Sequence, residues 1–198
     1  MAKLYFRYGA MGSGKTRDLM KVYYNYKERN MHPVILKPAI DTKGGDKICS
    51  RDGAVLPIDY LVKKKEDIYK IIKKDVKKKP INCLLIDEAE FLEENQIDEL
   101  TDIVDYLDIP VIAYGLRADF RTNLFPGSKR LFELADSIEE IKTICSCGAK
   151  ATMNTRMVNG KFVFKGDQVA IDGEASVTYI SLCRRCYKKE KEKAKKLL

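Results

Sequence analysis

Residues 9–16 read Gly-Ala-Met-Gly-Ser-Gly-Lys-Thr, a pair of glycines bracketing four residues and followed by a lysine and a hydroxyl. An apolar run, 3–8, precedes them, and residues 15–30 carry Leu19, Val22 and Tyr26 at helical spacing. The spacing therefore predicts strand, glycine loop and helix in succession. In that setting Gly9, Ala10, Met11, Gly12, Ser13 and Gly14 supply successive backbone N–H groups. Together with the helix N-terminus they make an anion cradle for a nucleoside triphosphate. Lys15 can reach the β- and γ-phosphates, and the Thr16 hydroxyl offers itself to magnesium.

A second constellation decides where the terminal phosphate goes. Asp87 and Glu88 close the apolar run 81–87, at the strand end where ligands bind in open α/β sheets. Asp87 is the candidate magnesium carboxylate. Glu88, beside the phosphates, can take a proton from an incoming nucleophile. Water as nucleophile makes an ATPase; an organic hydroxyl makes a kinase. Residues 87–90, Asp-Glu-Ala-Glu, also resemble the acidic box of superfamily-2 helicases, a rival reading as a nucleic-acid-dependent ATPase. Such motors stack two ATPase-type domains, and 198 residues hold one.

The third constellation is made of thiols. Cys145 and Cys147 form one close pair and Cys183 and Cys186 another, together the four ligands of a closed, structural zinc site. The first pair is one residue tighter than the usual knuckle. Cys83 opens an apolar run and is expected in the core, while Cys49 lies in a polar loop as a free thiol. His32, the only histidine, precedes Pro33 and reads as a turn residue.

The elements that must position these groups alternate. Strands are predicted at 33–37, 81–87, 110–115 and 137–144 after the first, with a helix over 93–106 bearing Ile97, Leu100 and Val104 on one face. This is the pattern of an α/β protein, a parallel sheet with helices on both faces around the phosphate loop. Residues 41–55 read as a polar, glycine-rich loop free to move. From residue 145 the composition shifts to cysteine pairs, glycine turns and short strands such as 161–165, placing a boundary between 1–144 and a small zinc-ribbon-like part, 145–198, where a metal helps a core of marginal size.

The net charge of +8 resides mainly in lysines at 63–79 and 187–198. The first run carries Ile68, Ile71, Ile72 and Val76 at helical spacing, and the second interleaves glutamate. Aromatics that would stack on bases are not interleaved with either, so these are solvated faces and no specific nucleic-acid partner is expected. No apolar run approaches the roughly 18 residues of a membrane span. With a strand starting almost at the N-terminus, a cytoplasmic protein is expected.

Six motifs in order, the glycine loop, 37–43, 86–91, 114–125, 134–156 and 179–187, resemble the type II thymidine kinases over roughly residues 4–188. The resemblance implies ATP bound by 9–16 and by Asp87, Glu88, Ala89 and Glu90, with Glu88 as base toward the 5′-hydroxyl of thymidine. Deoxyuridine would be used less efficiently, and the product dTMP would serve DNA precursor salvage. It implies that Asp41 joins Thr16 and Asp87 near magnesium, that Phe91, Phe120 and Phe125 surround the nucleoside, and that Met11 and Leu116 lie near the thymine methyl. Residues 168–179 resemble a lasso loop that holds the base through main-chain groups, with Tyr179 packing nearby. A homotetramer is implied as well. Three positions depart from the family pattern. Glu90 stands where glutamine is usual, Lys43 where arginine is usual, and the lasso lacks a double glycine.

Overall fold

A computed structural model describes residues 1–41, 45–168 and 176–196. In chain order its main elements are β1 (Leu4–Tyr8), α1 (Lys15–Lys27), β2 (Pro33–Pro38), β3 (Lys47–Cys49), β4 (Val55–Pro57), β5 (Tyr60–Val62), α2 (Ile68–Val76) and β6 (Cys83–Ile86). A 3-10 turn, Ala89–Phe91, leads to α3 (Glu94–Leu107), β7 (Val111–Gly115), α4 (Pro126–Leu134) and β8 (Ser137–Glu140). The remainder is β9 (Thr143–Ile144), β10 (Lys150–Ala151), β11 (Met153–Val158), β12 (Lys161–Val163), β13 (Val177–Leu182) and α5 (Arg184–Lys196).

Six strands form one parallel sheet in the order β5-β2-β6-β7-β1-β8. Alternation along each strand divides its apolar residues between two faces. Leu4, Phe6, Val34, Leu36, Leu84, Ile86 and Val111 meet Ile68 and Ile72 of α2, Ile97, Leu100 and Val104 of α3, and Leu131 of α4. Ile35, Cys83, Leu85, Ile112 and Tyr114 face the other way, against Leu19 and Met20 of α1. Both faces are thus covered, as the continuous apolar runs of the strands require. Local signals end the helices: Asp67 accepts from the Lys70 N–H at the start of α2, and a Glu93–Gln96 capping box starts α3.

Several expectations need correction. Residues 41–55 are not simply a loop: β3 and β4 pair antiparallel within and just beyond them, with Ile48 and Leu56 buried on the α1 side. Each such side chain contributes roughly 1.5–3 kcal/mol, which anchors a two-stranded ribbon that is marginal alone. The expected single strand 137–144 divides between β8, in the main sheet, and β9, which pairs with β10. Strand β5 and helix α4 were not legible: the strand is three residues long and α4 opens on Pro126-Gly127. Gly127 is there because a Cβ would sit 2.7 Å from the carbonyl oxygens of both Ala89 and Leu92. The C-terminal helix starts at Arg184, three residues before the basic run, so Cys186 lies on its first turn.

Beyond β8 the chain builds a three-stranded sheet, β12-β11-β13, beside the β9–β10 pair. Its small core contains Ala151, Leu182 and Tyr187 together with Cys145 and Cys183.

Candidate active site

The glycine loop connects β1 to α1 at the C-terminal edge of the sheet. Gly12 and Gly14 have φ of 74° and 86°, left-handed values that favour glycine. Among the described residues no side chain caps α1, so its N-terminus is left to an anion. Lys15 is buried, its Nζ donating to the carbonyls of Ala10 at 3.3 Å and Gly9 at 3.5 Å. These are weak contacts, easily exchanged for phosphate oxygens.

The acidic end of β6 faces this loop. The Thr16 hydroxyl lies 3.4 and 3.5 Å from the two carboxylate oxygens of Asp87, longer than a good O–H···O⁻ bond. Burial, followed by repulsion from Glu88, pushes Asp87 up to about 7, while Lys15 opposes the shift. A buried carboxylate so disfavoured, beside a hydroxyl, is a hard-oxygen donor set that fits magnesium. Asp41 is ion-paired with the buried Lys37 at 2.9 Å.

Glu88 has φ 50°, a left-handed conformation for a residue with a Cβ, at a cost of about 1–3 kcal/mol. That twist directs it to the cleft of about 200 Å³ that is also lined by Gly12, Lys15, Thr16 and Leu116. Ala89 and Glu90 turn inward and are buried. Glu90 is only 1% exposed, among the described residues neither of its carboxylate oxygens has a hydrogen-bond partner, and Oε2 would lie 2.8 Å from a Cβ on Gly115.

Burial, reinforced by the charge of Glu88, raises the Glu90 carboxyl well above its usual range, with Lys15 opposing. The stability consequence has a definite sign. Below the ordinary carboxyl pKa of about 4.3 both folded and unfolded chains carry the proton and the group is neutral in its effect. As pH rises, the unfolded chain releases the proton while the fold retains it, so stability falls. Glu90→Gln removes this loss. Its melting temperature relative to the unaltered protein should climb between pH 4 and pH 8; a pH-independent difference between the two would show that Glu90 titrates as an ordinary carboxyl.

The aromatic residues form two groups. Phe91 and Phe125 meet edge to face, with centroids 5.5 Å apart. Phe120 lies under the guanidinium of Arg156, 3.8 Å from the ring centroid, and Arg156 Nε donates to the Tyr179 hydroxyl at 3.0 Å. Leu116 is buried and borders the phosphate cleft, as does Met11. Lys43 and lasso residues 169–175 lie outside the described residues; Gln168 contributes its carbonyl, which accepts from Arg156 at 3.0 Å.

Three residues that sequence reasoning passed over tie the site together. Asn154 accepts from the Met11 N–H at 2.8 Å and donates to the Ala118 carbonyl at 2.7 Å, and Ser181 donates to the Met11 carbonyl. Arg156, only 5% exposed, is the third. A buried arginine or asparagine in a strand has no local signature, because its partners lie 12 to 143 residues away in sequence.

Cys145, Cys147, Cys183 and Cys186 place their sulfurs within 4.8 Å of one another, with Cys147 and Cys183 3.7 Å apart. Zinc with Zn–S bonds of about 2.3 Å sets its sulfurs about 3.8 Å apart, so the cluster fits that ion. The Cys186 N–H donates to Cys183 Sγ at 3.4 Å. Burial works against ionising Cys145, but the backbone N–H groups of Cys147 and Cys183 draw it down to about 6. Its neighbours, Cys147 first, hold Cys186 up at about 12, the conflict a divalent cation resolves.

About one zinc per chain is therefore expected by native mass spectrometry. Cys183→Ser should lower the melting temperature and reduce activity indirectly, since the small sheet holds Met11 through Asn154 and Ser181, and α5 holds Phe120 through Tyr187, whose hydroxyl donates to the Phe120 carbonyl at 2.8 Å. Metal-free and metal-loaded protein melting together would rule this out.

The parallel sheet, the phosphate loop and the acidic strand end define a nucleotide-binding α/β protein of the P-loop class. Comparison with known proteins narrows this. The family model described as thymidine kinase matches residues 2–187. The thymidine kinase of Legionella pneumophila (strain Lens) is 46% identical over 96% of this chain and 90% of its own length. Those of Rhodopirellula baltica and Haemophilus influenzae are each 43% identical, over 95% and 96% of this chain and 89% and 98% of their own lengths. The chain belongs to the thymidine kinase family. Among solved structures, Bacteroides Pif1 bound to ssDNA matches 70% of this chain and 38% of that one at 15% identity and a TM-score of 0.38, too distant to carry an argument. Among the described residues no helix is long and apolar enough to cross a membrane.

Proposed function

We propose that this protein is a thymidine kinase, transferring the γ-phosphate of ATP to the 5′-hydroxyl of thymidine to give dTMP for DNA precursor salvage. The observation that carries this reading is the placing of Glu88 on the same cleft as Lys15, Thr16 and Gly12. A carboxylate there can accept the hydroxyl proton as the 5′-oxygen attacks the γ-phosphorus and the bond to the β-phosphate oxygen breaks. Lys15 and the N–H groups of residues 9–16 hold the triphosphate, and Asp87–Glu90 borders it. Thr16, Asp87 and Asp41 would hold magnesium, which when bound neutralises phosphate charge. Met11, Phe91, Leu116, Phe120, Phe125 and Tyr179 enclose the base. Positioning does most of the remaining work.

In this reading residues 1–144 bind the nucleotide, and 145–198 form a lasso-bearing domain built around structural zinc. The enzyme works as a homotetramer in the cytoplasm. A panel of nucleosides assayed for ATP consumption, with single-stranded DNA and RNA included, tests it. Thymidine should be the best substrate and deoxyuridine should follow. ATP hydrolysis stimulated by nucleic acid, with no nucleoside phosphorylated, would reject the kinase reading in favour of a helicase-like ATPase.

A further inference from the structure

The turn joining β3 to β4 sits over the phosphate loop. It is tightly built: the Ser50 N–H donates to the Ala54 carbonyl at 2.9 Å, the Ala54 N–H to Ser50 Oγ at 3.0 Å, and Gly53 adopts φ 89°. Asp52 ties it to α1 through an ion pair with Arg17 at 2.5 Å. Between Ser50 and Asp52 the turn presents Arg51. The Arg51 guanidinium lies so close to Gly12 that a Cβ there would be 2.8 Å from Nη1 and 3.4 Å from Cζ. Arg51 lines the same cleft as Lys15, Thr16 and Glu88. Arg17 and Asp52 satisfy each other, whereas among the described residues no carboxylate lies within ion-pair distance of Arg51.

We propose that Arg51 is a second cationic ligand of the terminal phosphates of ATP, carried to the glycine loop by the β3–β4 hairpin. An exposed arginine without a carboxylate, held against backbone N–H groups that cradle an anion, offers a planar fork that matches two phosphate oxygens. Lys15 approaches from within the loop and Arg51 from the hairpin side, so charge on the β- and γ-phosphates is met from two directions. The same interaction strengthens as negative charge develops on the leaving β-phosphate oxygen. A role for the close packing of Gly12 follows: any side chain there would displace the guanidinium.

This inference rests on the nucleotide-binding part of the proposed function and is tested by binding, so the two can fail separately. Titration calorimetry of the full chain with ATP and with AMP, magnesium present and nucleoside absent, compares the unaltered protein with Arg51→Ala. Loss of a charge-assisted contact is expected to weaken ATP binding by about 10- to 100-fold. AMP, which lacks the terminal phosphates, should bind both proteins alike. Because Arg51 is exposed, both proteins should melt at the same temperature. Equal ATP affinity in the two overturns the proposal, as does an equal loss for ATP and AMP. A protein that binds ATP through Arg51 but phosphorylates no nucleoside would leave this inference standing and remove the thymidine kinase reading.

Discussion

Replacing Glu88 with glutamine is expected to lower kcat by about 10²–10⁴-fold, the usual contribution of a general base, while ATP affinity stays close to that of the unaltered protein. Glutamine keeps the size and hydrogen-bonding shape of the side chain but cannot accept a proton. The backbone argues for a role that outweighs stability, since Glu88 is held at φ 50°, where its Cβ is disfavoured. The effect should fall on kcat and on kcat/KM together, because proton acceptance matters only as the 5′-oxygen attacks. Steady-state kinetics with thymidine and ATP varied independently would check it. A Glu88→Gln protein with near-normal turnover would remove this residue from the mechanism and leave proton transfer to solvent.

Deoxycytidine is expected to be phosphorylated about 10⁴-fold less efficiently than thymidine, as measured by kcat/KM at saturating ATP. The two bases have similar shape but opposite hydrogen-bonding character at one edge: cytosine presents an amino donor where thymine has a carbonyl acceptor. A site whose main-chain donors face that carbonyl would be left unpaired against cytosine, in apolar surroundings that water cannot rescue. In the proposed base pocket Phe91, Phe125 and Leu116 would supply such surroundings: Leu116 and Phe125 are buried, and the rings of Phe91 and Phe125 pack edge to face. Deoxyuridine lacks only a methyl group, worth about 1–3 kcal/mol in a hydrophobic pocket, and should fall between the two. Purine nucleosides should be excluded by size. Deoxycytidine or a purine nucleoside as the best substrate would overturn the assignment of the base pocket.

Much of the framework was legible because its signals are local. Strands β1, β2, β6 and β7 announce themselves as apolar runs, since a strand covered on both faces has no polar side. Helix α3 shows its buried face at a spacing of three and four residues. The hairpin β3–β4 escaped notice because each strand buries a single side chain, Ile48 or Leu56, in an otherwise polar segment. Helix α4 was hidden by Pro126 and Gly127, residues that signal a turn unless the neighbouring backbone at Ala89 and Leu92 is known. Glu90 reads like its acidic neighbours, yet the 3-10 turn after Glu88 rotates it into the interior.

The kinds of chemistry open to this chain are written into short stretches of it: a glycine loop for phosphates, a carboxylate pair at a strand end and four thiols for a metal. Each is encoded within a few residues, or in pairs whose spacing is diagnostic. The tertiary structure alone decided which groups meet. Met11 is held by Asn154 and Ser181 from 143 and 170 residues away, and Arg51 reaches Gly12 only because the hairpin packs on the α1 side of the sheet. Such contacts depend on strand order and on which face each element covers. No short stretch of sequence records either, because both arise from burying the apolar surface of the whole chain at once.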